Sequence, residues 1–281
     1  MGEYDMKKKE NRRRNRYARP VLGALGQFLK CFFLLLAVQT VVQSLTDNED
    51  MGTVAAILAA VLALLLFTLS ARRDGFRGFL RGNAKLGLLL LIPAFIYSLA
   101  GLFFASRGFT LSNFLLAVMA GVFEEAVFRA IPIAFMMRAW EFDEKKIPAV
   151  LLITAVTFGA FHITNVFSGA SLKVSLIQAA ECVAVGCLFG AIFLRSGNIL
   201  PLMLDHFLQD VIAFLNGVSN TDGVMNDLTW TPDVILDAVV VPLMLVLGLW
   251  YVRKEKRGEI SELWKGLWSW EKETEDSAPE A

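Results

Sequence analysis

The chain has 281 residues, of which 56% are hydrophobic and only 19% are charged. Its mean hydropathy of +0.54 is too high for a soluble domain of this length, so the composition excludes that class and predicts a polytopic membrane protein. The 27 basic residues balance the 27 acidic ones, and this neutral sum says little by itself. The placement of the charges along the chain is more informative than their number.

The first 20 residues form a polar, basic tail with eight Lys and Arg between Lys7 and Arg19. A basic segment can bind nucleic acid, but this one directly precedes a long apolar run. We therefore interpret it as a topology signal beside anionic lipid, and no nucleic-acid partner is predicted. The run that follows is too long for a signal peptide and has no evident cleavage site of small residues.

Apolar runs recur along the chain, and a helix needs about 20 apolar residues to cross the hydrocarbon core. Backbone groups in lipid must be hydrogen-bonded internally, and the runs are too long for barrel strands. The sequence therefore predicts an all-α polytopic membrane protein. We predict eight transmembrane helices, near 21–45, 52–70, 86–105, 111–137, 147–167, 174–195, 198–218 and 233–252.

Lys and Arg alternate between the two sides of this predicted bundle. They are concentrated before the first run, in 71–85, in 138–146 and after residue 252, whereas the connections on the other side contain only Arg107 and Lys173. Cytoplasmic loops carry an excess of Lys and Arg. We therefore predict a multi-pass protein of the cell membrane with both termini in the cytoplasm.

The domain organisation predicted from these features is simple. One membrane domain covers 21–253, with a motif core at 111–218, between the basic tail 1–20 and a cytoplasmic tail 254–281. Apolar residues recur at helical spacing in the last tail, which predicts an amphipathic helix on the cytoplasmic face. The 71–85 connection mixes basic and aromatic residues and is predicted to lie at the membrane interface.

Glu124, Glu125 and Arg129 form an EExxxR pattern in the fourth run. Ionisable residues are costly at membrane depth, so they usually face the protein interior and have a function. Glu125 and Arg129 share a helix face, where they can form an ion pair. Glu124 points about 100° away and has no local partner, which makes it the candidate general base. An ion pair that only locks two helices together is the structural alternative for Glu125 and Arg129.

The two histidines of the chain lie in two further runs. His162 ends an FxxxH pattern, and Asn165 is a candidate partner of its ring. A lone histidine near the end of a span is more often a packing residue, but polar partners on other runs favour a function here. His206 and Asp210 form an HxxxD pattern, in which the carboxylate can fix the imidazole tautomer or the pair can bind a metal. Asp205 is interpreted as an interfacial acid.

Taken together, EExxxR, FxxxH and HxxxD resemble, in this order and on three separate runs, the motifs of the CAAX-protease and bacteriocin-processing family of intramembrane proteases. The resemblance covers about 111–218 and includes the stretch GNILPLMLDH. Asp210 stands where many members have Asn. The resemblance implies an intramembrane active site and an endopeptidase that cleaves a membrane-associated peptide or protein. CAAX-type processing, bacteriocin or signal-peptide maturation and self-immunity are the roles known in the family.

The spacing and the resemblance imply a role for each motif residue. Peptide hydrolysis needs an activated water, a stabilised oxyanion and a proton for the leaving amine. The roles are Glu124 as the base, His162 as a group that holds the water, His206 with Asp210 as the oxyanion stabiliser or proton donor, and Glu125 with Arg129 as a brace for the first motif.

The cofactor remains open at the level of sequence. His162, His206 and Glu124 are also candidate ligands of a catalytic zinc with one open position, although an HExxH motif is absent. Between no cofactor and zinc, we favour a water activated by glutamate without a metal.

Two other functions remain open as well. Buried carboxylates and histidines also form proton relays in transporters, although no inverted repeat is evident. A non-catalytic immunity or scaffold protein that retains the site is the other alternative.

Overall fold

The computed structural model describes residues 15–46, 48–105, 108–216 and 232–268. Most of the predicted basic tail and the last residues of the predicted cytoplasmic tail therefore lie outside the described residues. Within the described ranges only helices, turns and loops occur, which confirms the all-α prediction.

Eleven α-helices make up the described fold, together with 3₁₀ turns at 102–104, 144–146 and 163–168 and a π-helical turn at 125–130. The α-helices are α1 (Pro20–Leu45), α2 (Glu49–Arg72), α3 (Ala84–Leu90), α4 (Ile92–Gly101), α5 (Leu111–Glu124), α6 (Ile131–Ala139), α7 (Ile147–His162), α8 (Leu172–Ser196), α9 (Leu200–Leu215), α10 (Pro232–Tyr251) and α11 (Lys254–Leu267).

Each of the eight predicted apolar runs coincides with a helix or with an interrupted pair of helices. Four segments of the described residues are long and apolar enough to cross a membrane, namely Pro20–Val42, Glu49–Arg72, Glu144–Phe167 and Leu172–Ser196. A fifth is added if α3 and α4 are one span, bent by 55°. The remaining runs form shorter or interrupted helices. The count of eight spans is therefore not confirmed and stays a prediction.

The bend between α3 and α4 has a local cause. Pro93 is the second residue of α4, and it lacks the N–H that a continuous helix would donate to the carbonyl of Leu89. The chain therefore starts a new helix at Ile92, where proline is tolerated in the first turn.

The predicted basic connections meet at one end of the bundle, which we call the basic end. Arg16 forms an ion pair with Asp74 at 2.8 Å, and the backbone N–H of Arg77 donates to Leu267 at 2.8 Å. The hydroxyl of Ser261 on α11 donates to the carbonyl of Phe142 at 2.7 Å. The N-terminal segment, 71–83, 138–146 and α11 therefore pack on one another. Their side of the membrane stays a prediction.

The structure shows what the apolar side chains of two segments at the basic end contact, whereas the position of these segments relative to the membrane stays a prediction. In the 71–85 connection, Phe76 and Phe79 are buried inside the bundle. The amphipathic helix is present as α11, but its apolar face packs against α8 and the 144–146 turn. Trp264 is fully buried there and donates from its indole N–H to the carbonyl of Leu194 at 3.0 Å. The apolar side chains of both segments therefore pack against the bundle at this end.

Close helix contacts place the motifs next to one another. A Cβ at Gly121 on α5 would lie 2.7 Å from the carbonyl oxygen of Met203 on α9, so the lack of a side chain lets these helices touch. In the same way, a Cβ at Gly159 on α7 would lie 2.4 Å from the carbonyl oxygen of Ala179 on α8. Glycine thus brings α5 onto α9 and α7 onto α8 beside the candidate site.

We predict that Trp264→Ala lowers the free energy of unfolding by about 3–5 kcal/mol, since it removes a fully buried aromatic side chain and leaves the Leu194 carbonyl without its donor. Denaturant unfolding in detergent, followed by circular dichroism, measures the change. Glu262→Ala on the exposed side of α11 is the control and should change the stability by less than about 0.5 kcal/mol. Equal stability of the two variants would show that α11 does not support the bundle.

Candidate active site

A π-helical turn carries the first motif. Between α5 and α6, residues 125–130 form this turn, in which the N–H of Ile131 donates to the carbonyl of Ala126, five residues earlier. Pro132 explains the change of register, since it has no N–H for the carbonyl of Phe128 and would crowd it in a regular α-helix. All six residues of the turn are buried. Single π turns are frequent at functional sites.

Glu125 is the centre of a buried hydrogen-bonded cluster. Its Oε1 accepts from Arg129 Nη1 at 2.8 Å and lies 2.8 Å from Nδ1 of His206. The side chains of Glu125 and Arg129 are 0% and 1% exposed. The predicted Glu125–Arg129 ion pair is therefore confirmed. A carboxylate can only accept, so Nδ1 of His206 carries a proton in this contact, and Nε2 is the ring nitrogen that faces away from Glu125.

Glu124 has a different environment from its neighbour. Its Oε2 lies 3.6 Å from Nε2 of His206, which is too long for a hydrogen bond, and its side chain is 22% exposed. The sequence predicted that one glutamate pairs with the arginine while the other faces a separate space, and this is what the structure contains. The carboxylate of Glu124 is thus accessible beside a histidine ring.

Phe158 connects the second motif to the first and the third. The guanidinium of Arg129 lies over the Phe158 ring, with Cζ 3.6 Å from the ring centroid. The rings of His162 and His206 lie edge-on to Phe158, at centroid distances of 4.6 and 6.3 Å. The Phe158 ring therefore covers the buried ion pair on one side and touches both histidines.

His162 is held by its own helix. Its Nδ1 lies 2.9 Å from the carbonyl oxygen of Phe158. Because a carbonyl only accepts, Nδ1 donates, and Nε2 keeps its lone pair for another group. Asn165, the candidate partner of the ring, instead donates to Gln178 on α8 at 2.8 Å. The partner of the His162 ring is thus backbone and not the predicted amide.

Asp210 lies close to the cluster without a direct bond to it. It is near enough to interact electrostatically with Glu124 and His206. Among the described residues, however, no hydrogen bond links it to His206. The contact that fixes the His206 ring at Nδ1, which the sequence assigned to Asp210, is made by Glu125.

Sequence reasoning missed Asp205 and the role of Phe158. Asp205 was interpreted as an interfacial acid, but it is fully buried, and its Oδ2 accepts from Gln209 at 2.9 Å. Its position inside an apolar run was the available signal, since an acid within a span is usually internal and functional. Nothing in the sequence around Phe158 indicated that its ring would lie against Arg129, because that contact joins two helices.

The metal prediction is not supported by the arrangement of these side chains. In the described part of the chain, no three His, Cys, Asp or Glu side chains come together as a group that could hold a metal ion. His162, His206 and Glu124 as they stand therefore do not form a three-ligand site. The favoured alternative, a water activated by glutamate without a metal, stays a prediction.

Apolar helices around buried acids, an arginine and a histidine define the class of this protein as a multi-pass membrane protein with ionisable groups in its interior. Residues 106–212 match the family model described as type II CAAX prenyl endopeptidase Rce1-like. This match confirms the resemblance to the CAAX-protease and bacteriocin-processing family over the segment that carries all three motifs. No curated protein and no solved structure matches the chain. The family supports a protease of the CAAX type.

We predict that Glu125→Gln lowers the free energy of unfolding by about 3–5 kcal/mol, because it leaves the guanidinium of Arg129 buried without a counter-charge. Denaturant unfolding in detergent measures the loss. The double variant Glu125→Gln, Arg129→Met removes the unpaired charge and should recover most of the stability. If the single variant is as stable as the wild type, the buried ion pair is not what holds this part of the fold.

Proposed function

We propose that the protein is an intramembrane endopeptidase that hydrolyses a peptide bond in a membrane-associated peptide or protein with a water molecule activated by Glu124. The observation that carries the proposal is the contrast between two adjacent glutamates. Glu125 is buried and binds both Arg129 and His206. Glu124, in contrast, is accessible and lies 3.6 Å from Nε2 of the same histidine. A base and a donor group therefore face one space from two helices.

In the proposed mechanism, Glu124 takes a proton from water as the water attacks the peptide carbonyl, and it later passes that proton to the leaving amine. His162 holds the water, because its Nδ1–H is bound to the Phe158 carbonyl and its Nε2 is left as an acceptor. The attack converts the carbonyl oxygen into an oxyanion. Stabilising that charge is usually the largest contribution to catalysis in such reactions.

His206 is the proposed oxyanion donor. Its Nδ1 is held by Glu125, so a ring that is protonated on both nitrogens donates from Nε2 to the oxyanion. Glu125 and Arg129 act as positioning residues, since they fix this ring and do not face the open space. The carboxylate of Asp210, which interacts with the ring electrostatically, supports its positive charge.

The matching family model and the position of the candidate site support the proposed substrate class. A site among apolar helices is reached by a peptide that is itself held in or at the membrane. A CAAX-type tail, a bacteriocin precursor or a signal peptide fits this description, and self-immunity is a role that such cleavage can serve. Within these classes we propose a CAAX-type substrate first, because the matching family model is that of CAAX prenyl endopeptidases.

We predict that Glu124→Gln lowers kcat/KM for peptide cleavage by roughly 10²–10⁴-fold, the usual contribution of a general base. Stability should stay close to that of the wild type, since Glu124 is partly exposed and has no hydrogen bond to lose with His206. The assay uses the purified protein in liposomes with a prenylated CAAX peptide and with an unlipidated amphipathic peptide, and mass spectrometry detects the products.

Glu49→Gln, the same change at an exposed residue at the start of α2, is the matched control and should cleave normally. Undiminished cleavage by Glu124→Gln would refute the assignment of the base. Proton flux through wild-type liposomes without any peptide cleavage would favour a transporter instead.

We predict that metal analysis finds no stoichiometric zinc in the purified wild type. The matched sample is the double variant His162→Ala, His206→Ala, which removes two of the three candidate ligands. Inductively coupled plasma mass spectrometry of both proteins gives the zinc content per chain. Stoichiometric zinc that is present in the wild type and lost in the variant would overturn the mechanism without a metal.

A further inference from the structure

A cavity of about 430 Å³ lies at the basic end, between the start of α1, the end of α2 and Phe135 of α6. Its walls contain none of the motif residues, so it is separate from the candidate active site. Apolar side chains such as Phe67 and Phe135 line one part of it, and polar or basic side chains line the rest. The cavity is thus amphipathic, and it opens beside the first transmembrane helix.

Two glycines of α1 face this cavity, but only one of them is required by packing. A Cβ at Gly23 would lie 2.4 Å from the ring of Phe135, so the ring needs the space that glycine leaves. A Cβ at Gly26 would meet no atom of the residues that the structure describes within 4 Å. Glycine inside a helix costs about 1 kcal/mol relative to alanine. No contact among the described residues accounts for this cost at Gly26, whereas a molecule seated in the cavity would use the same space.

The charges around the cavity are predominantly positive. Arg16 is neutralised, since it pairs with Asp74 at 2.8 Å. Lys30, which also lines the cavity, forms no ion pair with any acid among the described residues. The guanidinium of Arg138 lies 5.7 Å from the Tyr17 ring at the same end. Burial, together with the Asp74 carboxylate, raises the pKa of the Tyr17 hydroxyl, so this group stays a neutral donor.

The depth of Lys30 indicates where a ligand would come from. Lys30 is the eleventh residue of α1, and a lysine at this depth reaches back along the helix towards the interface. Gly26, Lys30 and the exposed Phe33 lie on one face of α1, so the cavity continues into a lipid-facing apolar surface. A ligand that is anionic at one end and apolar along the rest matches this order of groups.

We propose that the cavity is a binding site for an anionic phospholipid of the surrounding membrane. The headgroup phosphate lies beside Lys30, in the space above Gly26, and an acyl chain follows α1 past Phe33. Basic pockets between transmembrane helices are a known way to bind such headgroups. The site lies at the basic end, where it can tie the N-terminal segment, α1 and α2 together without contact with the catalytic groups.

The test uses the full-length protein in a neutral detergent, with native mass spectrometry and thermal unfolding as readouts. Phosphatidylglycerol should bind with one-to-one stoichiometry and raise Tm, whereas phosphatidylcholine should not. Lys30→Gln should weaken phosphatidylglycerol binding about fivefold, the usual contribution of one lysine beside an anionic headgroup. Lys85→Gln, which removes the charge of an exposed lysine outside the cavity, is the matched control and should bind as the wild type does.

Substitutions at Gly26 test whether the lipid occupies the space beside this glycine. Gly26→Ala should raise Tm by roughly 2 °C in the absence of lipid, because no atom in the described part of the chain opposes the added methyl group. Gly26→Leu should fill the cavity and abolish the stabilisation by phosphatidylglycerol. If Gly26→Leu does not fold, Gly26→Ala and Lys30→Gln decide the question.

Three outcomes would overturn the proposal. They are equal binding of both lipids by the wild type, unchanged phosphatidylglycerol binding by Lys30→Gln, and full replacement of the lipid effect by inorganic phosphate at millimolar concentration. The last would identify a site for free phosphate in place of a lipid headgroup. None of these outcomes depends on peptide cleavage, so they are independent of the proposed function.

Discussion

One carboxylate oxygen joins two of the three motifs of this protein. Oε1 of Glu125 accepts from Arg129 and binds Nδ1 of His206, each at 2.8 Å, in a place where the Glu125 side chain is fully buried. A buried charge without partners would be unstable, so each of the three groups requires the other two. Because the oxygen bridges the π turn and α9, the relative position of these two helices follows from it.

The need to give these buried charges partners also explains the structure around the cluster. The π turn, which Pro132 induces, places six consecutive buried residues at the point where Glu125 must face inward. Gly121 lets α5 approach α9 closely enough for the bond to His206. Phe158 covers the guanidinium of Arg129 and at the same time holds His162 through its backbone carbonyl. The accessible neighbour, Glu124, therefore lies beside the oriented ring of His206.

Much of this arrangement could be predicted from local patterns. Hydropathy predicted the helices, the distribution of Lys and Arg predicted which connections meet at one end, and the spacing of Glu125 and Arg129 predicted their ion pair. These properties depend on residues within a few turns of one another. The proposed catalytic roles, the span count of eight and the side of the membrane remain predictions.

Contacts between distant helices could not be predicted in this way. Asp210 lies one helical turn from His206 on α9, yet the partner of Nδ1 is Glu125, 81 residues earlier in the chain. The apolar residues of 71–85 and of α11 indicated a surface for lipid, but each found a protein surface, as the burial of Phe76 and Trp264 shows. Periodicity identifies an apolar face and does not say what covers it.

The protonation of the two histidine rings tests this account most directly. The chain contains only two histidines, so selective ¹⁵N-histidine labelling gives NMR signals from His162 and His206 alone. The account predicts a proton on Nδ1 of both rings. In the Glu125→Gln variant, the ¹⁵N signals of the His206 ring should shift, whereas those of the His162 ring should not. Rings protonated only on Nε2, or a His206 signal that Glu125→Gln leaves unchanged, would contradict the central role of Glu125.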